Sequence, residues 1–200
     1  MNQDRRLEEV RRVTAFFSYW QGLRLVPLGF MLMVEGLLLS PLFEGKGLGV
    51  GVILLGVVVA TVLFSCVIAA GYYRSAYGVV RNPATNRRLD AWLVLFIPLL
   101  ALLLALDARL ELPVFISGLV WAGAAWLYER ATGGGRRHWR LLALALALLA
   151  PLPLLGVSPD WMMSLFLGVL GLGYAACGML DHLELTRILP PVKDDDGTAL

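Results

Sequence analysis

The costliest residue in this chain is Glu35, the one charged residue in the apolar run 25–42. Within a bilayer core such an acid costs about 2.5–3.5 kcal/mol on insertion scales. It must therefore face other helices or a wet cavity. That placement suits a proton- or cation-coupling site. It equally suits a hydrogen bond to a facing helix, or a carboxylate reaching the outer headgroups. One acid without a basic partner at fixed spacing does not define a mechanism.

Other chemistry-bearing residues collect elsewhere. The string Tyr72, Tyr73, Arg74, Ser75, Ala76, Tyr77 sets Tyr73 and Tyr77 four apart, on one helical face beside Arg74. With Arg136 and Arg137 it forms a candidate docking surface for a cytoplasmic protein or an anionic lipid headgroup. Tyrosine at headgroup level also serves as a plain anchor. The run Gly133-Gly134-Gly135-Arg136-Arg137 superficially resembles a phosphate cradle. It lacks the Walker spacing, the closing Lys-Ser/Thr and a preceding strand, so it reads as a glycine turn with basic flanks. Asp181 and His182, with Glu184, form a candidate pH-sensitive group. Two histidines in separate loops and two cysteines inside apolar runs give no metal-ligand pattern and no disulfide framework. Asp107, Arg109 and Glu111 mark a charged outer turn, either a solvated tip or a pore mouth. No HExxH, nucleophile elbow or paired Ser and His occurs, so no catalytic residue, metal or cofactor is assigned.

The elements that would position these residues are long apolar helices. Hydrophobic residues make up 58% of the 200 and charged residues 16%. An ordinary soluble domain has about 45–50% and about 25%, so the excess must face lipid. Six spans fit, at about 25–42, 48–70, 91–106, 112–128, 141–157 and 161–180. Span 3 is short unless it begins near Asn82-Pro83, a cap followed by a first-turn proline. Ser158, Pro159 and Asp160 repeat that signature before span 6. Pro98, Pro151 and Pro153 should kink or end their helices. Leu7, Val10, Thr14 and Phe17 recur at helical spacing, so residues 1–22 read as an amphipathic helix, lying on the membrane or extending span 1. Residues 23–181 form the transmembrane domain. Residues 182–200 form a partly disordered cytoplasmic tail.

Charge fixes the orientation. Of 17 Lys and Arg residues, only Lys46 and Arg109 fall in alternate gaps between spans; the other 15 lie at or near the opposite face. This is the positive-inside pattern, with both termini cytoplasmic. Trp20, Trp92, Trp126, Trp139 and Trp161 fall near the interfaces, as an aromatic belt does.

The expected fold class is therefore all-α: a six-helix integral membrane bundle in a bacterial cytoplasmic membrane. The expected function is a non-catalytic, partner-binding membrane component of a transport or signalling complex. The alternative is a small-solute or proton-coupled permease built around Glu35. Expected partners are the bilayer with its anionic headgroups, a cytoplasmic protein, and a second copy through small-residue pairs such as Gly47/Gly51 and Ser164/Gly168. Nothing points to nucleic acid.

Overall fold

The structure is a computed structural model. It describes residues 3–43, 47–77, 99, 102–107, 109–110, 112–132 and 134–190. The chain is all-α, with seven α-helices and no strand among the described residues. They are α1 (Gln3–Ala15), α2 (Leu25–Leu38), α3 (Gly47–Val67), α4 (Arg74–Tyr77), α5 (Ile116–Ala131), α6 (Arg137–Leu149) and α7 (Pro159–Ile188). A π-helical turn, Ile68–Tyr73, joins α3 to α4. Residues 102–107 are also helical. Most of span 3, with its Asn82-Pro83 start, Trp92 and Pro98, lies outside the described residues.

Among the described residues, two helical segments are long and apolar enough to cross a membrane: Leu55–Tyr77, 23 residues, and Pro159–Ile188, 30 residues. The others are shorter than the predicted spans, for local reasons. Pro151 and Pro153 stop α6 at Leu149, and the chain turns through Leu152–Leu155 to Gly156 at φ +85°. α5 begins at Ile116, after Pro113, because Asp107 caps it there. The Asp107 carboxylate accepts from the amides of Ile116 (3.1 Å) and Ser117 (2.7 Å). Asp107 is buried, so the solvated-tip reading does not hold for it. α7 starts at Pro159 as its signature predicts, although the Ser158 hydroxyl makes no cap hydrogen bond. It runs on to Ile188, so the tail predicted from residue 182 begins as helix.

The tightest packing joins α2 to α7. Gly22, Gly29 and Gly36 recur every seven residues, and so do Ser164, Gly171 and Gly178. The two rows meet antiparallel: Gly22 on Gly178, Gly29 on Gly171, Gly36 on Ser164. A Cβ on Gly171 would stand 2.5 Å from the Gly29 carbonyl oxygen, and one on Gly36 would stand 2.9 Å from that of Ser164. Backbone therefore lies against backbone, as small residues permit. A second core packs Phe115, Trp139, Leu142, Leu146, Phe166 and Leu170 between α5, α6 and α7.

The N-terminal helix settles on the bundle. Two 3-10 turns, Phe17–Tyr19 and Gly22–Arg24, separate α1 from α2. Val13, Phe17 and Trp20 are buried with Tyr73 and Leu185. Residues 3–22 thus do not continue span 1 as one helix, and the later part of their apolar face is covered by the protein itself, while Leu7 stays exposed.

Candidate functional site

The site grows from one buried carboxylate. Asp181 lies near the C-terminal end of α7 and is fully buried. Its Oδ2 accepts from Arg136 Nη1 at 2.9 Å and from Trp139 Nε1 at 3.0 Å. Its Oδ1 lies 2.7 Å from His138 Nε2. All three partners come from the segment entering α6. That segment can deliver them because Gly134 and Gly135 hold φ of +66° and +86°, a conformation that side-chain-bearing residues avoid.

Arg136 is caged as well as paired. Its guanidinium carbon lies 5.1 Å from the Trp20 ring centroid, 5.1 Å from Tyr128 and 5.8 Å from Trp139. Desolvation strengthens such cation–π contacts. Arg136 also donates to the Thr132 hydroxyl and to the Tyr19 carbonyl (3.4 Å). The cluster thereby ties the α1–α2 joint, the end of α5, the start of α6 and the end of α7 into one body.

Glu129 anchors the glycine turn beside it. Fully buried, its Oε1 accepts from Arg140 Nη2 at 2.9 Å. Burial pushes its carboxyl upward. The hydrogen bonds from Arg140 and the Gly135 amide, with the charges of Arg140 and Arg130, outweigh that and leave it below the usual carboxylate range. A carboxyl depressed in the fold stabilises above its ordinary value of 4.5, and this contribution is lost as pH falls through its folded value. Unfolding measured from about pH 6 down to about pH 3 should therefore show stability falling below that ordinary value. Glu129→Gln should flatten this acid limb. A variant with the same limb as the native chain would remove Glu129 from it.

A smaller hydrogen-bond chain lies next to the cluster. Tyr73 Oη accepts from the Leu23 amide at 3.1 Å and lies 3.1 Å from His182 Nδ1. The rings of Tyr72 and Tyr73 pack edge-on to His182, at 5.4 and 5.8 Å. Tyr73 stacks on Tyr77, as their spacing implied. These tyrosines belong to the π-turn and α4.

The sequence-predicted residues are thus divided. Asp181 and His182 are consecutive yet serve different clusters, since adjacent helical residues point about 100° apart. His138, not His182, joins Asp181. Two members of the predicted docking surface, Tyr73 and Arg136, are buried and cannot present themselves to a partner: an aromatic cage and a carboxylate hold Arg136, and Tyr73 is packed under α1. Tyr72 and Tyr77 are half-buried, whereas Arg74 and Arg137 are exposed. Trp20 and Trp139 are core residues rather than belt residues; Trp126 and Trp161 are exposed. Glu35 is half-buried on α2, next to Gly36 of the glycine seam, and no side-chain hydrogen bond or ion pair joins it to the described residues. No three potential metal ligands gather among the described residues. The residues that sequence reasoning missed are Glu129, Thr132, His138 and the cage aromatics. Their one signal was Trp and Tyr bracketing a basic turn.

Comparison with family models, curated proteins and solved structures finds no match to this chain.

Proposed function

We propose that the chain is a multi-pass, six-span membrane protein of the bacterial cytoplasmic membrane and a non-catalytic component of a transport or signalling complex. Its arginine-rich end faces the cytoplasm and docks an acidic soluble protein. One observation carries this reading: a rigid buried core, Arg136–Asp181, surrounded by outward-facing cations. Arg24, Arg74, Arg130, Arg137 and Arg187 are all exposed, and they come from the ends of α2, α4, α5, α6 and α7 that meet there. A fixed scaffold lowers the ordering cost of presenting charges to a partner. Exposed cations raise association rates and make binding salt-sensitive. The short α2, α5 and α6 cross with local thinning of the bilayer and with their flanking polar residues reaching to the headgroups.

The test is charge reversal at exposed positions only. Arg74→Glu with Arg137→Glu should abolish co-purification of the soluble partner from the native membrane while leaving the unfolding midpoint unchanged. Glu35→Gln should leave that capture intact. Under the permease alternative the pattern inverts: Glu35→Gln stops solute flux in proteoliposomes, and the arginine reversals do not matter. An unchanged set of co-purified proteins after the double reversal would sink the docking reading.

A further inference from the structure

The end of the bundle opposite the arginine cluster carries a cavity that the docking reading does not use. It lies about 30 Å away along α7, the rise from Asp181 back to Asp160. Its volume is about 590 Å³, within the about 300–1,000 Å³ range of small-molecule sites. Phe115, Val157, Met162 and Met163 supply apolar lining. Methionine pairs of this kind adapt to varied apolar shapes. The frame is stiff: Pro113, Pro153 and Pro159 stand around it, and Asp107 is pinned by two backbone amides.

Charge decides what such a cavity would take. Among the described residues, the charged ones lining it are Asp107 and Asp160, and none of those lining it is basic. Arg109 is exposed on the segment beyond Asp107 and is not part of the lining. The positive N-terminal ends of α5 and α7 both open nearby, but each already has its own acid: Asp107 takes the first amides of α5, and Asp160 stands in the first turn of α7. An anion entering here would meet these two carboxylates. We infer that this cavity binds a small apolar molecule carrying one cationic group, its hydrocarbon part against Phe115 and the methionines and its charge toward Asp160. The inference stands independently of the docking reading.

The test uses the full chain in lipid nanodiscs and three probes of one shape: 4-phenylbutylamine, 4-phenylbutanol and 4-phenylbutyrate. Binding is read by calorimetry. The amine should bind about fivefold tighter than the alcohol, the size expected of one partly exposed charge contact, and the carboxylate weakest. Asp160→Asn should bring the amine to the level of the alcohol without changing the alcohol. Met163→Trp, which fills the cavity, should weaken amine and alcohol alike and so separates the site from partition into lipid. Equal binding of all three probes, or amine binding unmoved by both substitutions, would overturn the inference.

Discussion

Asp181→Ala should destabilise the protein by about 3–5 kcal/mol, the range for stripping one partner from a buried ion pair. The substitution removes more than one contact. It leaves Arg136 charged, fully buried and without its carboxylate, and it strips an acceptor from Trp139 Nε1 and a partner from His138. The cage rings cannot replace the carboxylate, because they offer faces rather than lone pairs to the guanidinium N–H groups. Arg136→Met should cost less in isolation. Asp181 would keep Trp139 and His138, and a flexible apolar chain would remain among the rings. The double variant Arg136→Met/Asp181→Leu should recover much of the loss, since burying no charge is often as stable as burying a matched pair. Denaturant unfolding in mild detergent of the native chain, Arg136→Met, Asp181→Leu and the double variant, read as a double-mutant cycle, checks this. Purely additive costs would mean that the two side chains do not depend on each other.

The same arithmetic explains why the cluster was only half visible in the sequence. Asp181 and Arg136 stood out because each is a charge beside an apolar run. Nothing in linear order pairs residues 45 apart, one in the turn before α6 and one on α7. Trp20, Tyr128 and Trp139 fit a belt at the headgroups as well as a cage, because an aromatic residue with a polar edge suits both settings. Glu129 is the clearest case. As one charge among Arg130, Arg136 and Arg137, it reads as solvated, and only the fold of the glycine turn brings Arg140 and the Gly135 amide onto it. The all-helical class, by contrast, was legible. Long apolar runs broken by Pro and Gly leave few other choices, and the start of α7 at Pro159 fell where its cap signature put it. Helix ends were less legible. α5 starts late because Asp107, nine residues upstream, supplies its cap through space.

The glycine rows were also present in the sequence, at a period longer than the small-xxx-small pairs that draw attention there. Gly29→Ala and Gly171→Ala should each be severe. A methyl on Gly29 would run into the Gly171 carbonyl and the Ala175 amide, and one on Gly171 into the Gly29 carbonyl and the Met33 amide. These are backbone atoms, so no rotamer change relieves the clash. The helices must move apart along the whole seam. Inserting a methylene into a packed core costs about 1–3 kcal/mol, occasionally more, and a backbone obstacle places these sites at or above the upper end. Separating α2 from α7 also pulls Gly22 away from Gly178, three residues before Asp181, and Gly22 follows the Trp20 of the cage. The seam and the charge cluster should therefore fail together: either alanine variant should weaken the coupling measured between Arg136 and Asp181. Gly56→Ala is the matched control. It sits mid-helix in α3 with open space around its missing Cβ, and it should be neutral or stabilising by up to about 1 kcal/mol through the better helix propensity of alanine. If Gly29→Ala and Gly56→Ala unfolded at the same denaturant concentration, the close approach of α2 and α7 would not exist in solution. The rigid frame invoked for the arginine-rich end would go with it.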